Sequence, residues 1–78
     1  MLADRLESIG IEASKVPYLM RDITNSFTRD LSMDLIQLKD NLVSLGWDDV
    51  ELDYRTYEIA REYFEINELR SYENRDRR

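Results

Sequence analysis

The apolar positions of this chain recur at helical spacing over most of its length. Leu2, Leu6 and Ile9 come first, at spacings of four and three, and predict a short helix over about residues 2–9 that stops at Gly10. From Val16 the series runs through Met20, Ile23, Phe27, Leu31, Leu35, Leu38, Leu42 and Leu45, eight steps over 29 residues. That is about 3.6 residues per step, the period of a straight helix and not the 3.5 of a supercoil. One long central helix over about residues 15–45 is therefore expected, some ~45 Å long at ~1.5 Å per residue. Ser14 is its expected N-cap, with Pro17 in the first turn, where a missing N–H costs nothing. Thr24, Asn25, Ser26, Thr28 and Ser32 are weak helix formers, yet the stripe keeps phase through them.

The two glycines carry the same stop signal. In "LESIGIE" and "LVSLGWD" a glycine in the left-handed C′ position would pair Leu6 with Ile11 and Leu42 with Trp47, the C3 to C″ contact of a Schellman turn. The single tryptophan thus has a structural task. After it, Asp53 is expected to cap a third helix over about residues 54–72, with Leu52 and Tyr57 as a hydrophobic staple. A calcium loop starting at Asp49 fails, because Tyr54 stands where glycine is required and Ala60 where a bidentate glutamate is required. On the third helix Ile59, Tyr63, Ile66 and Leu69 form one face, and Tyr57, Ala60 and Phe64 form an adjoining one. Tyr63 is expected in the core. So wide an apolar arc exceeds what one neighbouring helix covers.

The fold class is all-α: a single helical domain over residues 1–72 and a polar, basic tail over 73–78. The central and C-terminal helices are expected to pack as an antiparallel hairpin, completed by dimerisation into a four-helix or six-helix bundle. Length supports the last step, since a chain of 78 residues hides only ~60% of its unfolded surface on folding. The absence of cysteine and histidine removes disulfides and the usual structural zinc sites as supports, and the lack of cysteine suits a reducing cytoplasm. No stretch is long and apolar enough for a membrane span.

Charge sharpens the choice of partner. Residues 1–46 hold seven acids and five bases, residues 47–68 eight acids and two bases, and residues 69–78 two acids and four bases. An acidic middle argues against direct nucleic-acid binding, even with Arg70, Arg75, Arg77 and Arg78 near the end. Catalysis has little to use: no histidine, no cysteine, no glycine-rich phosphate loop, and no Glu-x-x-His motif to build a di-metal site. No catalytic, cofactor or metal-ligating residue is assigned, and no cofactor is expected.

The expected function is a non-enzymatic protein–protein interaction module, a small adaptor, assembly factor or regulatory protein. Its partner is either a second copy or a different protein. Met33, Ile36 and Val43, with Tyr18 earlier on the same expected helix at a similar angle, form a second apolar seam away from the main stripe. Tyr54 and Tyr72 point about 140° from Ile59 and join them as candidate contacts, since tyrosine is enriched in interface hot spots. The alternative is a small acidic inhibitor in which Asp48, Asp49, Glu51, Glu58, Glu62 and Glu65 imitate phosphates and block a basic groove.

Overall fold

A computed structural model describes residues 1–48 and 50–76, with the side chains of that set except those of residues 71–76. The described residues form four helices and no strand: α1 (Leu2–Ser8), α2 (Val16–Arg29), α3 (Leu35–Ser44) and α4 (Tyr54–Asp76). The all-α class holds.

The long central helix does not. It is two helices, α2 and α3, parted by residues 30–34. Asp30 leaves the helix with extended backbone (φ −149°, ψ 99°), and its carboxylate accepts from both the amide and the hydroxyl of Ser32. Four residues on, Asp34 starts α3 with a capping box: its side chain accepts from the Gln37 amide at 2.9 Å, and the Gln37 side chain accepts from the Asp34 amide at 3.0 Å. Packing explains why the break wins. A stripe on one straight helix cannot bury itself, whereas folding at 30–34 turns its two halves onto each other. Ile23, Phe27, Leu38 and Leu42 all become buried, each worth roughly 1.5–3 kcal/mol. Straightening the linker would recover only about five helical hydrogen bonds at a net ~1 kcal/mol each, and the caps already return part of that.

The hairpin of the molecule is therefore α2 with α3. Trp47 reaches Asp22 and Asn41 reaches Ser26, so contacts descend one helix as they climb the other. The antiparallel pairing expected between the central helix and the C-terminal helix is not confirmed: α4 packs on α1 and α2. Phe27 meets Tyr57 and Phe64, and the later Thr28 and Leu31 face Arg61 through Leu69. α2 touches all three other helices and is the centre of the core.

The start of α2 also differs by a residue. Lys15 is its N-cap and makes no side-chain cap bond, since an ammonium has no acceptor to offer; a preceding turn instead engages the Lys15 and Val16 amides with the Glu12 carbonyl. Ser14 has no free donor to serve. The two stops are as expected. Gly10 and Gly46 have φ of +103° and +101°. Each carries the double hydrogen bond of a Schellman turn: Ile11 to Leu6 and Gly10 to Glu7, then Trp47 to Leu42 and Gly46 to Val43. Leu6 and Leu42 are core residues, with Ile11 and Trp47 packed against that core.

Asp53 caps α4 as expected, its carboxylate accepting from the Thr56 amide at 2.8 Å. The helix then runs to Asp76, four residues beyond the expected end. Thr56, Ala60 and Phe64 are its buried row, so the face chosen is the one containing Ala60 and Phe64. Tyr63 is not in the core and is 37% exposed. Small side chains at 56 and 60 let α1 approach closely, and Arg5 of α1 bonds Thr56 Oγ1 at 3.0 Å and Asp53 at 2.7 Å. Phe64, on the same buried row, meets Phe27 of α2 instead.

Candidate functional site

The chemistry available on the surface follows from how each helix distributes its side chains. On α3 the buried positions are Leu38 and Leu42. Ile36 and Val43 lie about 130° around the helix from them and are 71% and 55% exposed. They share an outward stripe with Lys39 and Asp40 between them. This pair of the expected seam is one surface. Met33 has left it: the residue belongs to the 30–34 linker, packs half-buried against the core, and its carbonyl accepts from the Tyr57 hydroxyl at 2.7 Å. The break that ended the long helix also removed the register joining Met33 to Ile36.

Tyr18 lies elsewhere, exposed near the start of α2 under the guanidinium of Arg21, 5.4 Å from the ring centre. It borders a shallow groove of about 690 Å³ where the two glycine turns meet, beside Ile11, Leu45, Trp47 and Val50. The Trp47 indole N–H donates to Asp22 at 2.7 Å, which pins the ring to α2. Tyr54 is exposed at the first turn of α4, its ring 5.9 Å from that of Tyr57. The Tyr72 side chain lies outside the described residues. The expected contacts are thus distributed over several faces.

The acidic set divides as well. Asp48 and Glu51 sit by the glycine-turn groove with Lys15 and Tyr18. Glu58, Glu62 and Glu65 share one stripe of α4, and Glu65 lies against Thr28 and Leu31 at the other end of α2. Glu65 is also paired with Arg61 at 3.3 Å. Asp49 lies outside the described residues. Two carboxyls are held below their ordinary value of 3.8. At Asp53 the Thr56 hydroxyl is the main cause, then the Thr56 amide, with Arg5 adding less. At Asp30 it is the hydroxyl and then the amide of Ser32. Both belong to capping and turn structure. Among the described residues no group of three or more acidic side chains is placed to hold a metal ion.

A surface that the periodicity did not single out lies beyond the end of α2. Leu31, a member of the main stripe, is 60% exposed, and Ile66 and Leu69 on α4 are 51% and 62% exposed. Every described side chain from Glu65 to Arg70 is exposed. Between Thr28 and Leu31 on one side and Arg61, Phe64 and Leu69 on the other runs an open groove of about 560 Å³. The sequence signal for Leu31 was its place between Asp30 and Ser32, two turn-forming residues that take it off the helix. The breadth of the α4 arc had already announced surplus at Ile66 and Leu69.

Among the described residues no helix is long and apolar enough to cross a membrane. In comparisons with known proteins, the chain matches no family model, no curated sequence and no solved structure.

Proposed function

We propose that this protein is a non-enzymatic protein–protein interaction module working in a reducing cytoplasm, a small adaptor, assembly factor or regulator that engages its partner through apolar helix faces. One observation carries the reading. Against twelve buried apolar residues, ten large apolar side chains of the described residues stand exposed, and those that share a surface are the kind of patch that marks an interaction site. Ile36 and Val43 on α3, and Ile66 and Leu69 with Leu31 on the α2–α4 side, give these side chains continuity. The acidic-inhibitor alternative has less support, because its carboxylates divide between two ends of α2.

The test compares wild-type chain with two folded variants, Ile36→Ser/Val43→Ser and Ile66→Ser/Leu69→Ser, as immobilised bait in native extract and by sedimentation in isolation. A binding species, another protein or the chain itself, that is retained by the wild type and lost in one variant supports the reading. If the wild type retains nothing beyond what both variants retain, and sediments as a monomer, the apolar faces have no docking role and the reading fails.

A further inference from the structure

The outer half of α4 carries a pattern of charge as well as apolar surface. Around the helix Ile66 forms the centre of a strip, with Glu62 and Leu69 about 40–60° to one side and Arg70 and Tyr63 about 40–60° to the other. Ile66, at the centre of the strip, lies about 120° from Ala60 in the middle of the buried row of Thr56, Ala60 and Phe64, so the centre faces away from α1 and α2, while Leu69 at one edge also borders the groove with Thr28 and Leu31. Tyr63, Ile66 and Leu69 leave on the order of 100 Å² each in water, and Glu62 and Arg70 are exposed. Resting on the interaction reading above, we propose that this strip docks a second copy of the chain, its α4 laid antiparallel on the first with Ile66 at the two-fold axis.

The strip is complementary to itself in that one sense. With Ile66 against Ile66, positions four residues before and four residues after it share a layer, so Glu62 of each copy comes within reach of Arg70 of the other. Positions three before and three after likewise meet, placing Leu69 beside Tyr63. At a helix separation of 8–10 Å, ordinary for packed helices, these pairs are within side-chain reach. A parallel arrangement would set Glu62 beside Glu62 and Arg70 beside Arg70, two like-charge contacts in place of two opposite ones. The strip with its flanking stems offers on the order of 1,000 Å² in total, near the lower edge of specific interfaces. An interface of that size belongs with the weak, transient ones, and occupancy follows concentration.

The full chain should sediment as a monomer at about 1 µM and increasingly as a dimer toward about 100 µM and above, as a weak, concentration-dependent association requires. Arg70→Glu and Glu62→Arg should each raise the dissociation constant about tenfold or more by creating like-charge contacts. The double swap Glu62→Arg/Arg70→Glu should return it to within about threefold of wild type. The chain contains no cysteine, so Ile66→Cys should give a single disulfide-linked dimer on mild oxidation, and Val43→Cys on α3 should not. Far-UV circular dichroism and Trp47 emission establish that each variant is folded. A monomer at every concentration overturns the second copy, leaving the interaction reading to stand or fall on capture of a different protein. A dimer that the swap does not rescue, or that Val43→Cys links as readily, overturns the α4 geometry.

Discussion

The two halves of α4 belong to one continuous helix and have opposite surroundings. From Tyr54 to Phe64 the helix places Thr56, Ala60 and Phe64 in the core, with Tyr57 and Ile59 half-buried against it. From Glu65 to Arg70 every side chain is exposed, although Ile66 and Leu69 are as apolar as anything before them. The helix does not decide this; its neighbour does. α2 ends at Arg29, and past that point α4 has no platform. The turn at residues 30–34 lets α2 and α3 bury each other, and it also shortens the surface on which α4 would otherwise lie. Core completion and the exposed flank have one cause.

The strongest way to break that comparison is to cut one large side chain from each half's environment. Phe27 is fully buried and meets both Tyr57 and Phe64, so Phe27→Ala should cost about 3–5 kcal/mol. Leu69→Ala at a concentration where the chain is monomeric should change stability by less than about 0.5 kcal/mol. Urea unfolding followed by Trp47 emission measures both. Comparable losses would mean that the outer half is covered in solution and the contrast is wrong.

Much of this was legible in the residues. The all-α class, both Schellman stops and the Asp53 cap follow from local chemistry in which a glycine or an aspartate has one sterically cheap role. The break in the central stripe was legible too, but in a different alphabet. Asp34 followed three residues later by Gln37 is a capping-box signature, and Asp30 with Ser32 is a turn signature, whereas the apolar spacing runs through both without a phase error. Periodicity records which residues are apolar and not which way the chain turns between them. Tyr63 was misplaced for a related reason: two adjoining faces of α4 were both eligible, and the buried one is the one whose Phe64 meets Phe27 of α2, distant in sequence. The candidate surface was partly legible, since Ile36 and Val43 share a helix, while Tyr18, Met33 and Tyr54 were related only through a helix that the fold interrupts.

The stops and starts that frame α3 allow the comparison to be sharpened at smaller cost. Gly46 has a left-handed φ, and a Cβ there would meet nothing within 4 Å. Gly46→Ala should therefore destabilise by the backbone term alone, roughly 1–2 kcal/mol, with no steric addition. The same change at Gly10, equally unobstructed, should cost a similar amount, and thermal melts of the two variants check the equivalence. Asp34→Ala removes the acceptor of the capping box and should cost about 1 kcal/mol. Because Asp30, with Ser32 donating to its carboxylate, still ends α2, Asp34→Ala should leave far-UV ellipticity unchanged; a rise would show the linker straightening and make the cap the cause of the turn.

The smallest effect concerns the anchored half of α4 and acts through pH. Asp53 is ionised with its carboxyl below the ordinary 3.8, chiefly because the Thr56 hydroxyl and amide both donate to it and secondarily because of Arg5. A folded-state value lower than the unfolded one means that the carboxylate favours folding, a contribution fully present above about pH 4 and lost as pH falls through the depressed folded value. Asp30, lowered by Ser32, acts in the same direction at the linker. Stability should thus be flat with respect to these two groups from pH 5 to 8 and decline below pH 4. Asp53→Asn keeps a competent N-cap but removes the charge, so the gap between wild type and variant should be constant near neutrality and narrow as the solution is acidified. Because Asp53 is exposed at the surface, the gap is small, and a melting-temperature series from pH 2 to 7 reads it. A gap that widens toward low pH would place the stabilising proton on the folded side and reverse the role assigned to the Arg5, Asp53 and Thr56 tie.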